Sequence, residues 1–281
     1  LTTDKRGLFF LKNEKKLNFI EIPASPLIKK NSIKFLASLI VIIYSIIKSF
    51  SYLVRNRPSI IFGMGGYSSF PVCIAASILR IKFVIYENNL IIGKANKYLL
   101  PFANKIFVSY KSLEGIPVKY NEKVIEIGNI IREEIIQSKS AVSEKGKFDK
   151  LNILVLGGSQ AARVFADKLP SIFKKLKKNY IPIKIFQQCQ KIQNNTLSEF
   201  YRNSVIDHEL FNFSERILEY YLNVNLVITR SGASVLGELI NVKTPFISIP
   251  LPTSADNHQF KNAKFYSKKG YGFLLEEKDI E

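Results

Sequence analysis

Ile153-Leu154-Val155-Leu156-Gly157-Gly158-Ser159-Gln160 is four aliphatic residues that stop on two glycines, with a helix-like stretch starting near Gln160. A short apolar run of this kind reads as a strand buried on both faces, and glycines at its end allow a tight turn into the helix behind it. The same order occurs earlier, where Ser59-Ile60-Ile61-Phe62 leads into Gly63-Met64-Gly65-Gly66-Tyr67 and a helix from Phe70 to Leu79. Working outward, strands are expected at 19–22, 83–86, 105–108, 124–127, 183–186, 226–228 and 246–249. Helices are expected at 33–54, 190–202, 215–222 and 233–241. Strands separated by helices imply parallel βαβ units. The pattern lapses into Ser, Lys, Glu and Gly between Glu133 and Lys150, so the reading is α/β with two Rossmann-like domains, 1–136 and 150–281. Ligands of such sheets bind beyond the carboxyl ends of the strands.

Composition narrows the chemistry. The 281 residues carry 41 Lys+Arg against 23 Asp+Glu, a formal charge of +18, and are 47% hydrophobic. The excess sits mainly in the first half: residues 1–140 hold 21 basic and 9 acidic groups, which is +12. Such charge suits a membrane surface or phosphorylated substrates. The basic residues are mostly lysine, a broad bias that gives nucleic acid no particular support. Cys73 and Cys189 are too few and too far apart for a disulfide scaffold or a cysteine-built zinc site. His208 and His258 lack carboxylate or cysteine companions at ligand spacing, so no metal and no cofactor is expected, and His208 reads as a surface residue. The chain opens on Leu1 and ends on Glu281, and both ends read as cuts through a longer protein.

Phe35 to Ile47 is a charge-free run of thirteen residues between Lys34 and Lys48. A bilayer-crossing helix needs about 20 apolar residues, which argues against a span. Two readings remain: a crossover helix buried in the α/β domain, or a helix that exposes Leu36, Ile40, Ile43 and Ile47 to a membrane interface, with Lys29, Lys30, Lys34, Arg55 and Arg57 near headgroups.

Neither glycine loop matches a dinucleotide fingerprint, and there is no ATPase phosphate loop. A third loop, Thr229-Arg230-Ser231-Gly232-Ala233-Ser234, follows strand 226–228 and opens a helix that carries Glu238. Helix starts at Ser159 and Ala233 would converge on a nucleotide diphosphate, and the carboxylate can accept two ribose hydroxyls. Thr253 to Asn262 crowds carboxamides into one loop and helix start, a composition that suits sugar hydroxyls as well as ordinary capping.

Phe62-Gly63-Met64-Gly65-Gly66-Tyr67-Ser68-Ser69-Phe70-Pro71, Tyr86-Glu87-Asn88-Asn89 with Gly93 and Asn96, and Gly128-Asn129-Ile130-Ile131-Arg132 resemble the MurG family. So do Leu156 to Ala162, Arg230-Ser231-Gly232-Ala233 with Glu238, and Asp256-Asn257-His258-Gln259 with Asn262. The resemblance runs over nearly the whole chain in the right order. It implies a GT-B glycosyltransferase, two Rossmann-like domains with parallel sheets facing across a cleft. Its donor would be UDP-GlcNAc, bound by the second domain, and its acceptor the lipid-linked N-acetylmuramoyl pentapeptide, bound by the first. It further implies an inverting transfer in peptidoglycan synthesis and a peripheral place on the cytoplasmic face of the bacterial inner membrane. Carried over by residue, Ser159 and Gln160 neighbour the diphosphate and sugar, Ala233 and Ser234 line the helix start beside it, and Glu238 takes the ribose. The backbone at Ser214 reads uracil, His258 and Gln259 meet the GlcNAc, and Arg132 joins the donor side. Gly65, Gly66, Tyr67, Glu87 and Asn89 face the acceptor.

The sequence departs from the family pattern at three places. Tyr86 replaces an acceptor-side histidine, Ala161 replaces a glycine of the phosphate turn, and Val235 replaces a threonine. The family's first glycine loop, which supplies the histidine usually placed by the acceptor hydroxyl, lies outside the chain. Glu87 is then the remaining candidate for the general base. The competing readings are another UDP-sugar transferase or epimerase of similar architecture, and a catalytically silent nucleotide-sugar-binding or scaffold protein.

Overall fold

The computed structural model describes residues 1–5, 7–8, 17–25, 32–138, 149–158, 163–179 and 181–281. The chain divides into two compact units, Leu1–Gly128 and Asn129–Glu281. In the first, β1 (Thr2–Thr3) pairs in parallel with β2 (Ile20–Glu21). There follow α1 (Ser32–Arg55), β3 (Ile60–Gly63), α2 (Gly66–Ile78), β4 (Lys82–Glu87), α3 (Lys94–Leu99), β5 (Lys105–Val108) and β6 (Val124–Glu126). Strands β3 to β6 form a parallel sheet in chain order. In β4, Phe83 to Glu87 are all buried, as the unbroken apolar run requires of a strand covered on both faces. Helix α2 begins four residues before the expected Phe70. Gly65 and Gly66, with φ of 78° and 73°, have by then already turned the chain.

Helix α1 spans the expected range but faces the opposite way to a core helix. Its buried residues are Ser38, Ser45, Ser49 and Leu53, a stripe at helical spacing. Leu36, Ile40, Ile43 and Ile47 are exposed, Ile40 by 60% and Ile47 by 62%. The small serines let α1 lie closely along α2, and the hydroxyls of Ser45 and Ser49 meet main-chain carbonyls. Ser45 Oγ contacts the carbonyls of Pro23 at 2.8 Å and Val41 at 2.7 Å, and Ser49 Oγ donates to Ser45 O. The buried-crossover reading is therefore corrected. The apolar count misled because here the polar stripe is the one that packs. By length and composition Ile33–Arg55 also suffices to cross a membrane, which the thirteen-residue run did not suggest.

The second unit starts at Asn129, so the expected boundary of 136–150 moves toward the N-terminus. Helix α4 (Glu133–Gln137) buries Ile135 completely and packs with the second unit. The order continues with β7 (Leu151–Leu156), α5 (Arg163–Lys178), β8 (Ile183–Gln188), α6 (Asn194–Asn203), β9 (Asp207–Phe211) and α7 (Ile217–Leu222). It closes with β10 (Leu226–Thr229), α8 (Ala233–Asn241), β11 (Phe246–Ser248), α9 (His258–Lys268) and β12 (Phe273–Leu274). The sheet is parallel throughout, ordered β12-β11-β10-β7-β8-β9. Numbered within the unit this is 6-5-4-1-2-3, the doubly wound Rossmann order, with its switch point between β7 and β10. Strand β9 has no counterpart among the expected strands, because Asp207-His208-Glu209 reads as polar surface; it is an edge strand, half exposed along its length.

Candidate donor and acceptor sites

The reversal between β7 and β10 places the Gly157-Gly158 and Thr229 to Gly232 loops side by side, where an open α/β sheet takes its ligand. Ser159 and Gln160 lie outside the described residues. The β10 loop is held from several sides. Arg230 is buried; its Nη1 donates to the carbonyls of Ile249 at 3.3 Å and Pro250 at 3.1 Å, its other terminal nitrogen pairs with Glu277, and the guanidinium lies over the Phe165 ring. Asn262 Nδ2 donates to Ser231 O at 3.1 Å, tying α9 to the same loop. Helix α8 then begins after Gly232 with no side-chain cap, so its first N–H groups have no capping side chain. Ser231 Oγ is fully buried and without a hydrogen-bond partner among the described residues. Ala233 is buried and Ser234 exposed in the first turn, and Val235 beside them is half-buried.

Glu238 lies in the second turn of α8 and is only 5% exposed. Tyr221 of α7 donates its hydroxyl to Oε2 at 3.0 Å, and Arg132 Nε stands 3.5 Å from Oε1. Burial raises the Glu238 pKa above the ordinary carboxylate range, with Arg132 and the Tyr221 hydroxyl acting in the opposite direction. Arg132, half exposed just before α4, also approaches Glu134 at 3.7 Å. Two residues expected on the donor side, Arg132 and Glu238, are thus brought together across 106 positions of sequence (238 − 132). Tyr221 was not among the expected residues, since a tyrosine in an amphipathic helix carries no signal of its partner.

Around α9, Gln259 Oε1 accepts from Leu251 N at 2.9 Å and so holds the 250–254 loop. His258 Nδ1 donates to Ala255 O at 2.8 Å. Asp256 and Asn257 adopt left-handed backbone at φ of 51° and 56° in the turn before them. Ser214 Oγ accepts from Arg216 N at 3.1 Å, folding the loop that follows β9 and leaving Phe213 exposed. A cavity of about 490 Å³ opens between the start of α5 and residues 190–197, beyond β8, and includes none of the expected donor residues.

In the first unit, Gly65 and Gly66 make the turn into α2, and Tyr67 is exposed in its first turn. A Cβ on Gly65 would come within 3.3 Å of Asn96 Nδ2. Glu87, at the end of β4, is 5% exposed and fully engaged: Oε1 accepts from Asn89 N at 3.1 Å and Asn89 Nδ2 at 3.0 Å, and Oε2 from Gly93 N at 2.8 Å and Asn96 Nδ2 at 2.9 Å. Four donors use the lone pairs that a general base would offer. The expectation for Glu87 is therefore corrected: it anchors the loop from Asn88 to Asn96, and Asn89 belongs to the same anchor. Tyr86 reaches Ser109 Oγ at 2.7 Å, Asn88 Oδ1 at 2.9 Å and the Gly128 carbonyl at 3.2 Å, a polar role in keeping with a histidine replacement. Among the described residues no group of three His, Cys, Asp or Glu is placed to hold a metal ion.

Known proteins share both halves. Residues 1–108 match the glycosyltransferase family 28 N-terminal domain and residues 152–281 its C-terminal domain. The UDP-N-acetylglucosamine--N-acetylmuramyl-(pentapeptide) pyrophosphoryl-undecaprenol N-acetylglucosamine transferase of Pelagibacter ubique is 36% identical over 281 residues, which are 100% of this chain and 77% of that protein. Its namesake in Rickettsia bellii is 35% identical over 254 residues, 89% of this chain and 70% of that protein. Among solved structures, Acinetobacter baumannii MurG superposes with a TM-score of 0.76 at 24% identity, covering 100% of this chain and 78% of that one. The UDP-GlcNAc 2-epimerase of Methanocaldococcus jannaschii reaches 0.58 at 14% identity over 98% and 80%, which speaks for fold alone. Fold and sequence together define a family 28 glycosyltransferase of GT-B type. Within that class, the chain belongs to the MurG family.

Proposed function

We propose that the chain transfers N-acetylglucosamine from UDP-GlcNAc to undecaprenyl-pyrophosphoryl-N-acetylmuramoyl pentapeptide, the lipid I to lipid II step of peptidoglycan synthesis. Family membership carries the reaction. The observation that carries the donor site is the buried Glu238 carboxylate between Tyr221 and Arg132, one helix turn behind the uncapped start of α8. In this reading Glu238 accepts the ribose hydroxyls, the backbone at Ser214 meets the uracil, and Ala233, Ser234 and Ser159 approach the diphosphate. Gln160, His258 and Gln259 approach the sugar. Attack of the N-acetylmuramate C4 hydroxyl on C1 of GlcNAc, opposite the diphosphate, forms the new C1–O bond as the bond to the diphosphate breaks, inverts the anomeric centre, releases the hydroxyl proton to water and leaves charge on UDP. The positive end of α8 stabilises that charge without a metal ion. The Gly65-Gly66-Tyr67 turn and the Glu87-anchored loop shape the acceptor side. Incubating the protein with UDP-GlcNAc and a lipid I analogue checks the reaction; UDP binding without transfer or hydrolysis would favour a silent sugar-nucleotide binder.

The acceptor's polyprenyl chain stays in the bilayer, so we also propose that the first unit attaches peripherally to the cytoplasmic face of the inner membrane through α1. Its exposed aliphatic face and the flanking Lys34, Arg55 and Arg57 support this reading. Co-sedimentation with anionic vesicles tests it, and absence of binding at low salt would remove it.

A further inference from the structure

The two partners of Glu238 differ in kind. Tyr221 is 1% exposed, and its main-chain carbonyl accepts from Thr244 Oγ1 at 3.1 Å, which ties the end of α7 to the turn after α8. Its hydroxyl is aimed at Oε2 at ordinary hydrogen-bond distance. Arg132 stands farther off, at 3.5 Å from Oε1, and its side chain is 49% exposed. A half-exposed guanidinium exchanges partners at little cost, whereas a buried phenol that gave up its acceptor would be left unsatisfied. We propose that Tyr221 is a positioning residue for the donor's ribose. It fixes the Glu238 carboxylate so that Oε1 faces the ligand, and Arg132 holds that oxygen until the ribose hydroxyls replace it. The inference rests on the reading of Glu238 as the ribose ligand. Burial and the neighbouring carboxylate hold the Tyr221 hydroxyl well above its ordinary pKa, which keeps it a donor at all physiological pH.

The test compares the calorimetric affinities of the full chain for UDP and for 2′,3′-dideoxy-UDP, which lacks both hydroxyls. The ratio of the two Kd values reads the ribose contact alone. Glu238→Ala should bring the ratio close to 1. Tyr221→Phe should lower the ratio about three- to tenfold, the size of one hydrogen bond, while leaving dideoxy-UDP affinity unchanged. The same variant should raise KM for UDP-GlcNAc with kcat within about twofold, since a uniformly used contact is lost. Incorporating 3-fluorotyrosine at position 221, which keeps the ring and hydroxyl, should preserve the wild-type ratio. If Glu238→Ala keeps the ratio, the ribose reading fails and this proposal with it. If Glu238→Ala collapses the ratio but Tyr221→Phe keeps it, the ribose reading stands and the positioning role is overturned. Equal loss of both ligands in Tyr221→Phe, or loss of the ratio with 3-fluorotyrosine, makes Tyr221 a structural residue only and also overturns the proposal.

Discussion

At Glu238, burial competes with a neighbouring charge, and the direction of its pKa says which prevails. Desolvation leads and the carboxyl titrates above its ordinary range despite Arg132. At pH values between the ordinary and the raised one, the folded protein therefore holds a proton that the unfolded chain has released. The corresponding stability is fully present below the ordinary carboxylate pKa and is lost as pH rises through the raised value. Glu238→Gln, which does not titrate, should accordingly gain in urea midpoint relative to wild type as pH is taken from about 4 toward neutrality; a constant difference would show that Glu238 is not so perturbed. In binding the sign reverses, because the carboxylate is the proposed ribose acceptor. Glu238→Ala should weaken UDP by about 1.5–3 kcal/mol, the range for hydrogen bonds to a charged group, measured by calorimetry. Val235, half-buried in the first turn of α8, offers no hydroxyl to the diphosphate. Val235→Thr should tighten UDP-GlcNAc by roughly 0.5–1.5 kcal/mol, and a Kd that stays or worsens would place the side chain away from the phosphates.

Helix α1 and the turn before α2 carry the predictions that belong to elements. The outward face of α1 joins Leu36, Ile40, Ile43 and Ile47 with cations at both ends. Headgroup attraction contributes about 1 kcal/mol for each well-placed lysine or arginine and fades at about 0.5 M salt, where the screening length is only a few ångströms. Vesicle binding that persists at high salt, and disappears in Ile40→Asp plus Ile43→Asp, is the expected outcome. Because that face is already exposed, the double variant should keep its far-UV circular dichroism and melting temperature, which separates a docking face from a core face. At the α2 turn, Gly65 has φ of 78° and lies against Asn96. Gly65→Ala should cost roughly 1–2 kcal/mol of stability, the scale of left-handed strain in a residue with a side chain, and should disturb the Glu87 loop through Asn96.

Across the molecule, the two units have separate cores, one around Cys73, Phe83, Ile85 and Ile106, the other around Phe165, Phe173, Ile185 and Tyr201. Several weak acids are buried in them in neutral form. Burial pushes the Cys73 thiol up to about 12, and Tyr220, burdened also by Glu209, likewise to about 12; Cys189, Tyr201 and Tyr221 are raised as well. Each holds its proton longer in the folded state than in the unfolded one. Their contribution is intact below the ordinary thiol and phenol values of 9.0 and 10.0 and is lost as pH rises toward about 12. The urea midpoint should be flat across neutrality on this account and fall steeply above about pH 9. Both thiols are buried and should react with a thiol reagent only on unfolding.

The alternation of apolar runs with helices determined by itself that the chain is two parallel α/β halves, because covering a sheet on both faces leaves unbroken strands such as Val84-Ile85-Tyr86 and Ile153 to Leu156. Glycine loops and scattered polar motifs were enough for the family, since backbone turns and helix starts are local in sequence. Orientation was not local. The direction α1 faces depended on packing against α2, with the serine stripe buried and Ile40, Ile43 and Ile47 left outside. The role of Glu87 depended on where Gly93 and Asn96 fold back, and a carboxylate that reads as a base became an anchor once its lone pairs were filled. Strand β9 was hidden by its polar sequence and made by pairing with β8. Only the tertiary structure could supply Tyr221 to Glu238, because a hydrogen bond between two helices has no period to read along the chain.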